Sequence, residues 1–141
     1  MDRYTKLLLA IFLAATSAAS AASVTSAEEF LLTKAAADFH KTSPNEIIHV
    51  RHVRFGQAIN SENGKQDVLC GEFKSSGKTG KHWISFATTK SRYQSPGAGN
   101  YEQWIGAQAE VVCKMRNVTE NDDKDLSSML QQRLDHFTKK P

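Results

Sequence analysis

The feature that most constrains this chain is a single pair of cysteines, Cys70 and Cys113, in a sequence whose N-terminus reads as an export leader. Two basic residues, Arg3 and Lys6, precede the unbroken apolar run LLLAIFLAA at residues 7–15. Small residues come next, and Ala19-Ser20-Ala21 fits the small-x-small cleavage rule. Residues 1–21 are therefore expected to be a signal peptide, cut after Ala21 or Ala22. Residues 22–141 are expected to form one domain, periplasmic or secreted. The apolar run is shorter than the about 20 residues a membrane span requires, so no transmembrane segment is expected in the mature chain. In an oxidising compartment the two cysteines allow one intramolecular bridge. Closing a loop of about 44 residues restricts the unfolded chain by roughly 4 kcal/mol in the loop-entropy account.

Hydrophobic periodicity supplies the elements. Ser26-Ala27-Glu28-Glu29 is a capping box ahead of Phe30, Leu31, Ala35 and Phe39, which recur at helical spacing. This predicts a helix over residues 27–40, stopped before Ser43-Pro44. IIHVRHVRF, residues 47–55, is rich in β-branched residues and reads as a strand. Regular alternation would split Ile48 and Val50 from Val53 and Phe55, so a β-bulge is expected near Arg51-His52. Further strands are expected over residues 68–74, 81–89 and 107–115. The last of these would turn Ala109, Val111, Cys113 and Met115 to one face. Leu126, Met129, Leu130, Leu134 and Phe137 form an amphipathic stripe in a final helix, capped by Asp122 or Asp123. The expected fold is α+β: an N-terminal helix, a four-stranded antiparallel sheet and a C-terminal helix. One disulfide would tie the second strand to the fourth.

Thr42-Ser43-Pro44-Asn45, the basic strand after it, Val68-Leu69-Cys70-Gly71-Glu72-Phe73, glycines at 77 and 80, a strand reaching Phe86 and a late second cysteine form a pattern. It resembles small signal-peptide-bearing bacterial exported proteins with a V-C-G-x-[VF] strand and a G-x-x-G turn. The resemblance covers residues 36–113 and departs at SSGKTGK, where an Asn-rich turn would be expected. It implies export, the disulfide and the sheet, and carries no activity across.

GEFKSSGKTGK begins like a nucleotide-binding loop, but the spacing is wrong. Five residues separate Gly71 from Gly77, one more than a phosphate-binding loop carries. The residues after Lys78-Thr79 alternate as a strand, where a helix should begin. No nucleotide and no other cofactor is expected, and Gly77 and Gly80 read as hairpin-loop positions with permissive backbone angles. No metal is expected either: two cysteines without further ligands make no zinc site, and His49 and His52 share a face only on a helix.

Charge is the least random feature. The whole chain carries +3, and removal of Asp2, Arg3 and Lys6 lowers it by one. That is too mild to imply nucleic acid. Yet Arg51, Arg54, Lys74, Lys78, Lys81 and His82 fall on the first three strands and their turns, with Trp83 beside them, while acids including Asp125 gather near the last helix. A basic sheet face with an aromatic suits an anionic macromolecule or an envelope protein. The expectation is a non-enzymatic binding domain using those seven residues. An envelope accessory using an exposed stripe of the last helix is a variant of it. The alternative is a small secreted hydrolase with Glu72, raised in pKa by burial, working with His82.

Overall fold

A computed structural model describes residues 23–59, 64–77, 79–91, 100–114 and 124–138. The expected leader, the expected caps Asp122 and Asp123, and Lys78 lie outside these residues. Helix α1 (Ser26–Thr42) begins at Ser26, the residue expected to cap it, one residue earlier than expected. Thr25 is the N-cap, its Oγ1 accepting from Glu28 N at 3.2 Å, and Glu28 and Glu29 sit in the first turn, where the helix dipole favours acids. The helix stops where Ser43 N donates to Phe39 O, just ahead of Pro44.

Four strands, β1 (Ile48–Ile59), β2 (Lys65–Ser75), β3 (Ile84–Lys90) and β4 (Tyr101–Ile105), form an antiparallel sheet in sequential order. The bulge lies where the sequence requires it. Arg51 pairs with Glu72 and Arg54 with Cys70, so two residues of β1 oppose Gly71 alone, and His52 takes φ 54°. The extra residue resets the alternation. Ile48, Val50, Val53 and Phe55 therefore all join the core formed with α1.

That core covers one face. Leu31, Leu32, Ala35, Ala36 and Phe39 of α1 lie on Leu69, Phe73 and Phe86. Phe39 stands 4.8 Å from Phe73 and 5.2 Å from Phe86 between ring centroids. Gly71 makes room for this: a Cβ there would lie 2.8 Å from Phe86 Cε1 and 3.0 Å from Val53 Cγ2. The rest of the face is closed by α3 (Ser127–Thr138), with Leu126, Leu130 and Leu134 buried. The apolar stripe of the last helix is thus core and is not an exposed partner surface.

Helix α3 also finishes the outer edge of β1. Gln131 accepts from Val50 N at 3.1 Å and donates to Ile48 O at 2.9 Å. Val53 N donates to Ser127 Oγ, and Val53 O accepts from Leu126 N. In this first half of β1, edge groups that would otherwise invite another strand are satisfied within the chain.

The expected fourth strand is instead a helix, α2 (Ala107–Lys114), and the fourth strand is β4, just before it. Gly106 at φ 72° breaks the chain between the two. Ala109, Val111 and Cys113 alternate as a strand would, but the residues that pack are Ala109, Val112 and Cys113, at helical spacing, while Val111 is half exposed. Ala107, Gln108, Ala109 and Glu110 are mostly good helix formers, and that local preference prevails over the short alternation. The disulfide Cys70–Cys113 is present, with Cα atoms 6.1 Å apart, and ties β2 to α2 rather than to a fourth strand. The architecture is α+β, with α1 and α3 on one face of the sheet and α2 on part of the other.

Candidate functional site

The face carrying α2 divides in two. Val68, Cys70, Ala87 and Trp104 lie under the short helix. Beyond it the strands present polar and aromatic side chains. Strand register places His49 beside Lys74, Arg51 beside Glu72, and Glu72 beside Ser85. Trp83, just ahead of β3, continues the same row.

Trp83 is the centre of this open half. The Arg51 guanidinium lies 4.2 Å from its ring centroid and the Lys74 ammonium 4.9 Å. Two cations thus share one half-buried indole, whose π face attracts both. Glu72 counters Arg51, its Oε2 accepting from Nη2 at 3.3 Å, while Oε1 lies 2.8 Å from His52 Nδ1. Lys74 has no carboxylate partner among the described residues, and Arg51 Nε is buried without a hydrogen-bond acceptor.

Burial pushes the Glu72 carboxyl up, but hydrogen bonds from His52 and Arg51 outweigh it and hold the group below its ordinary value. This reverses the raised pKa expected from the sequence. The histidine on Glu72 is also His52 and not His82. The bulge gives His52 its positive φ and swings its ring across the sheet; alternation alone gives no sign of that. Periodicity across Arg51-His52 was the one available signal.

Of the sequence-predicted residues, Arg51, Lys74 and Trp83 come together. Lys81 and His82 are exposed in the adjoining hairpin loop. Arg54 points elsewhere, with Nη2 3.8 Å from Asp125 Oδ2 at the start of α3. Burial pushes the Asp125 carboxyl up, but bonds from Ser127 and the nearby Arg54 and His52 hold it below its ordinary value.

The loop that begins like a phosphate cradle is held by its own hydroxyls. Thr79 Oγ1 accepts from Ser75 N at 2.8 Å, Ser75 Oγ accepts from Thr79 N at 3.3 Å, and His82 N donates to Thr79 O. Thr79 thus closes a turn leading into β3, where a nucleotide loop would open a helix. Of its two expected permissive glycines, only Gly80 has a positive φ, 60°. At Gly77 a Cβ would meet the end of the Glu46 side chain, 2.5 Å from Oε1.

A second concavity lies on the opposite face, between the C-terminal half of α1 and β3–β4. It holds about 460 Å³. Phe39, Phe73, Ile84 and Ile105 provide its apolar lining, with Asp38 and Gln103 among the polar groups. Tyr101 donates to Asp38 Oδ1 at 2.8 Å, and burial, aided by that carboxylate, pushes the phenol up to about 12. No family model matches the chain, and neither a curated protein nor a solved structure matches it.

Proposed function

We propose that this chain is an exported, disulfide-bonded, non-enzymatic domain, periplasmic or secreted, that binds an anionic macromolecule or envelope protein through the open half of its sheet. The observation that carries this reading is the pair of cations on Trp83. Arg51 and Lys74 are held in place by a rigid strand pair and an aromatic ring, so little side-chain freedom is lost when an anionic group docks. Lys81 and His82 extend the same charge into solvent. The leader-like N-terminus, the resemblance to small exported bacterial proteins and the disulfide support the location.

The test is retention of the oxidised mature protein on a sulfated polysaccharide matrix across a salt gradient. Substituting Lys74→Gln and Lys81→Gln is expected to lower the eluting salt well below that of a protein carrying Lys65→Gln and Lys114→Gln. The two proteins lose the same net charge. Equal loss from both pairs would mean that binding follows total charge and that this face is not the site.

One observation favours a second reading. His52 has φ 54° and its Nδ1 on a carboxylate, which leaves Nε2 as the second nitrogen of an exposed ring. A hydrolase would use His52 as general base, oriented by Glu72, with Arg51 holding an anionic substrate. Its signature is phosphodiester cleavage that falls by about 10²-fold or more in His52→Ala. Unchanged cleavage in that variant ends the reading.

A further inference from the structure

The two edges of the sheet are finished differently, and the difference points to a second binding site. The first half of the β1 edge, from Ile48 to Val53, is satisfied by Leu126, Ser127 and Gln131. At the other edge, Ser91 N donates to Asn100 O and Gly106 N to Ser85 O. In an antiparallel pair this phase directs the backbone groups of Glu102 and Trp104 toward β3. It leaves the N–H and C=O groups of Tyr101, Gln103 and Ile105 facing outward, unbonded among the described residues.

Two further observations point to a ligand at this edge. The side chains of Gln103 and Ile105 line the 460 Å³ groove beside α1, and Ile105 is 44% exposed. Gln103 Oε1 accepts from Thr88 at 2.6 Å, but its Nε2 is buried and has no acceptor. A row of free edge groups calls for an extended backbone, a groove with an apolar floor calls for an aliphatic side chain, and an orphan N–H calls for an acceptor.

We infer that β4 and the groove beside it bind an extended peptide segment of a partner protein as a fifth strand, with an aliphatic side chain in the groove and a basic residue near Asp38. Asp38 is the one ionisable group among the groove-lining residues, which sets the charge preference. A second copy of the chain fits less well: its β4, Tyr-Glu-Gln-Trp-Ile, offers no cation to Asp38. The site is independent of the Trp83 face, which would repel a basic peptide.

The probe is a short acetylated peptide of alternating valine and lysine, titrated into the oxidised protein and followed by amide hydrogen exchange. Saturable binding is expected to protect the amides of Tyr101, Gln103 and Ile105. Those of Glu102 and Trp104, already bonded to β3, should not change. A peptide N-methylated at alternate residues should not bind in one of its two phases. Ile105→Lys should weaken binding about tenfold, and Asp38→Asn should weaken it for the lysine peptide but not for a threonine counterpart. If Ile105→Lys melts below the parent, the N-methyl pair on the unsubstituted protein decides. Three results overturn the inference: no protection at the three edge amides with saturating peptide, tight binding by both N-methylated phases, or protection that rises with protein concentration in the absence of peptide. The last would assign the edge to a second copy.

Discussion

On one face of the sheet, Phe39, Phe73 and Phe86 close over Gly71 beneath two helices, and the apolar residues the bulge turns that way are buried or partly buried against this core. On the other, eight-residue α2 packs in a small cluster with Val68, Cys70, Ala87, Ala58 and Trp104, held down by one disulfide, and among the described residues Arg51, Glu72, Lys74 and Trp83 lie beyond it. The first face is held by area and shape. The second is held by a covalent tie and by charges that offset one another. A domain of this size has little apolar material to spare, so concentrating it on one side frees the other side to carry polar groups.

The largest expected effect tests the closed face. Phe86→Ala removes a fully buried ring at the centre of the aromatic cluster, and a loss of about 3–5 kcal/mol in denaturant unfolding is expected. Gly71→Ala probes the same contact from below and should also destabilise, because neither Phe86 nor Val53 has room to move. A loss well below that from breaking the disulfide would reverse the ranking of the two faces.

The next effect belongs to the half-covered face. Replacing Cys70 and Cys113 by alanine together should cost about 2–4 kcal/mol. Exchange should rise first in α2, while the amides of β1 and β2 keep their protection. If the whole sheet loosened at once, the two faces would form one cooperative unit, and the contrast between them would fail.

Smaller effects come from titration. Tyr101 is raised from 10.0 to about 12, so it contributes stability that is present below pH 10 and lost as pH rises through about 12. Tyr101→Phe should flatten alkaline unfolding in that window. Glu72 is lowered from 4.5, so its contribution is present above that pH and lost as the pH falls through the depressed value. Glu72→Gln should remove part of the acid slope while leaving melting at pH 7 nearly unchanged, since the ion pairs are partly exposed. A large drop at pH 7 would show that the open face is also structurally essential.

Much of the fold can be read from local pattern. The first helix and its stop come from a cap, a stripe and Pro44. The bulge at Arg51-His52 comes from a phase change in β-branched residues that only an extra residue repairs. Cys70 pairs with Cys113 because there is no other cysteine. The segment at residues 101–114 is where local reading failed. Ala109-Glu110-Val111-Val112-Cys113 is short enough to satisfy both a period of two and a helical period, and YEQWI carries no long apolar run to mark it as a strand. The candidate site was half legible. Arg51, Lys74 and Trp83 share a face once the register is known, whereas Arg54 is drawn away by Asp125 at the start of α3, distant in sequence.

The sequence by itself determined the class of fold, the bulge, the disulfide partners and the failure of the nucleotide-loop reading, because each rests on neighbours along the chain or on a count. Only the tertiary structure decided which histidine meets Glu72, which way that carboxyl shifts, how α3 meets the start of β1 and that the last helix is core. Those depend on strand register and on helices crossing strands far away in sequence, where no local period records the contact.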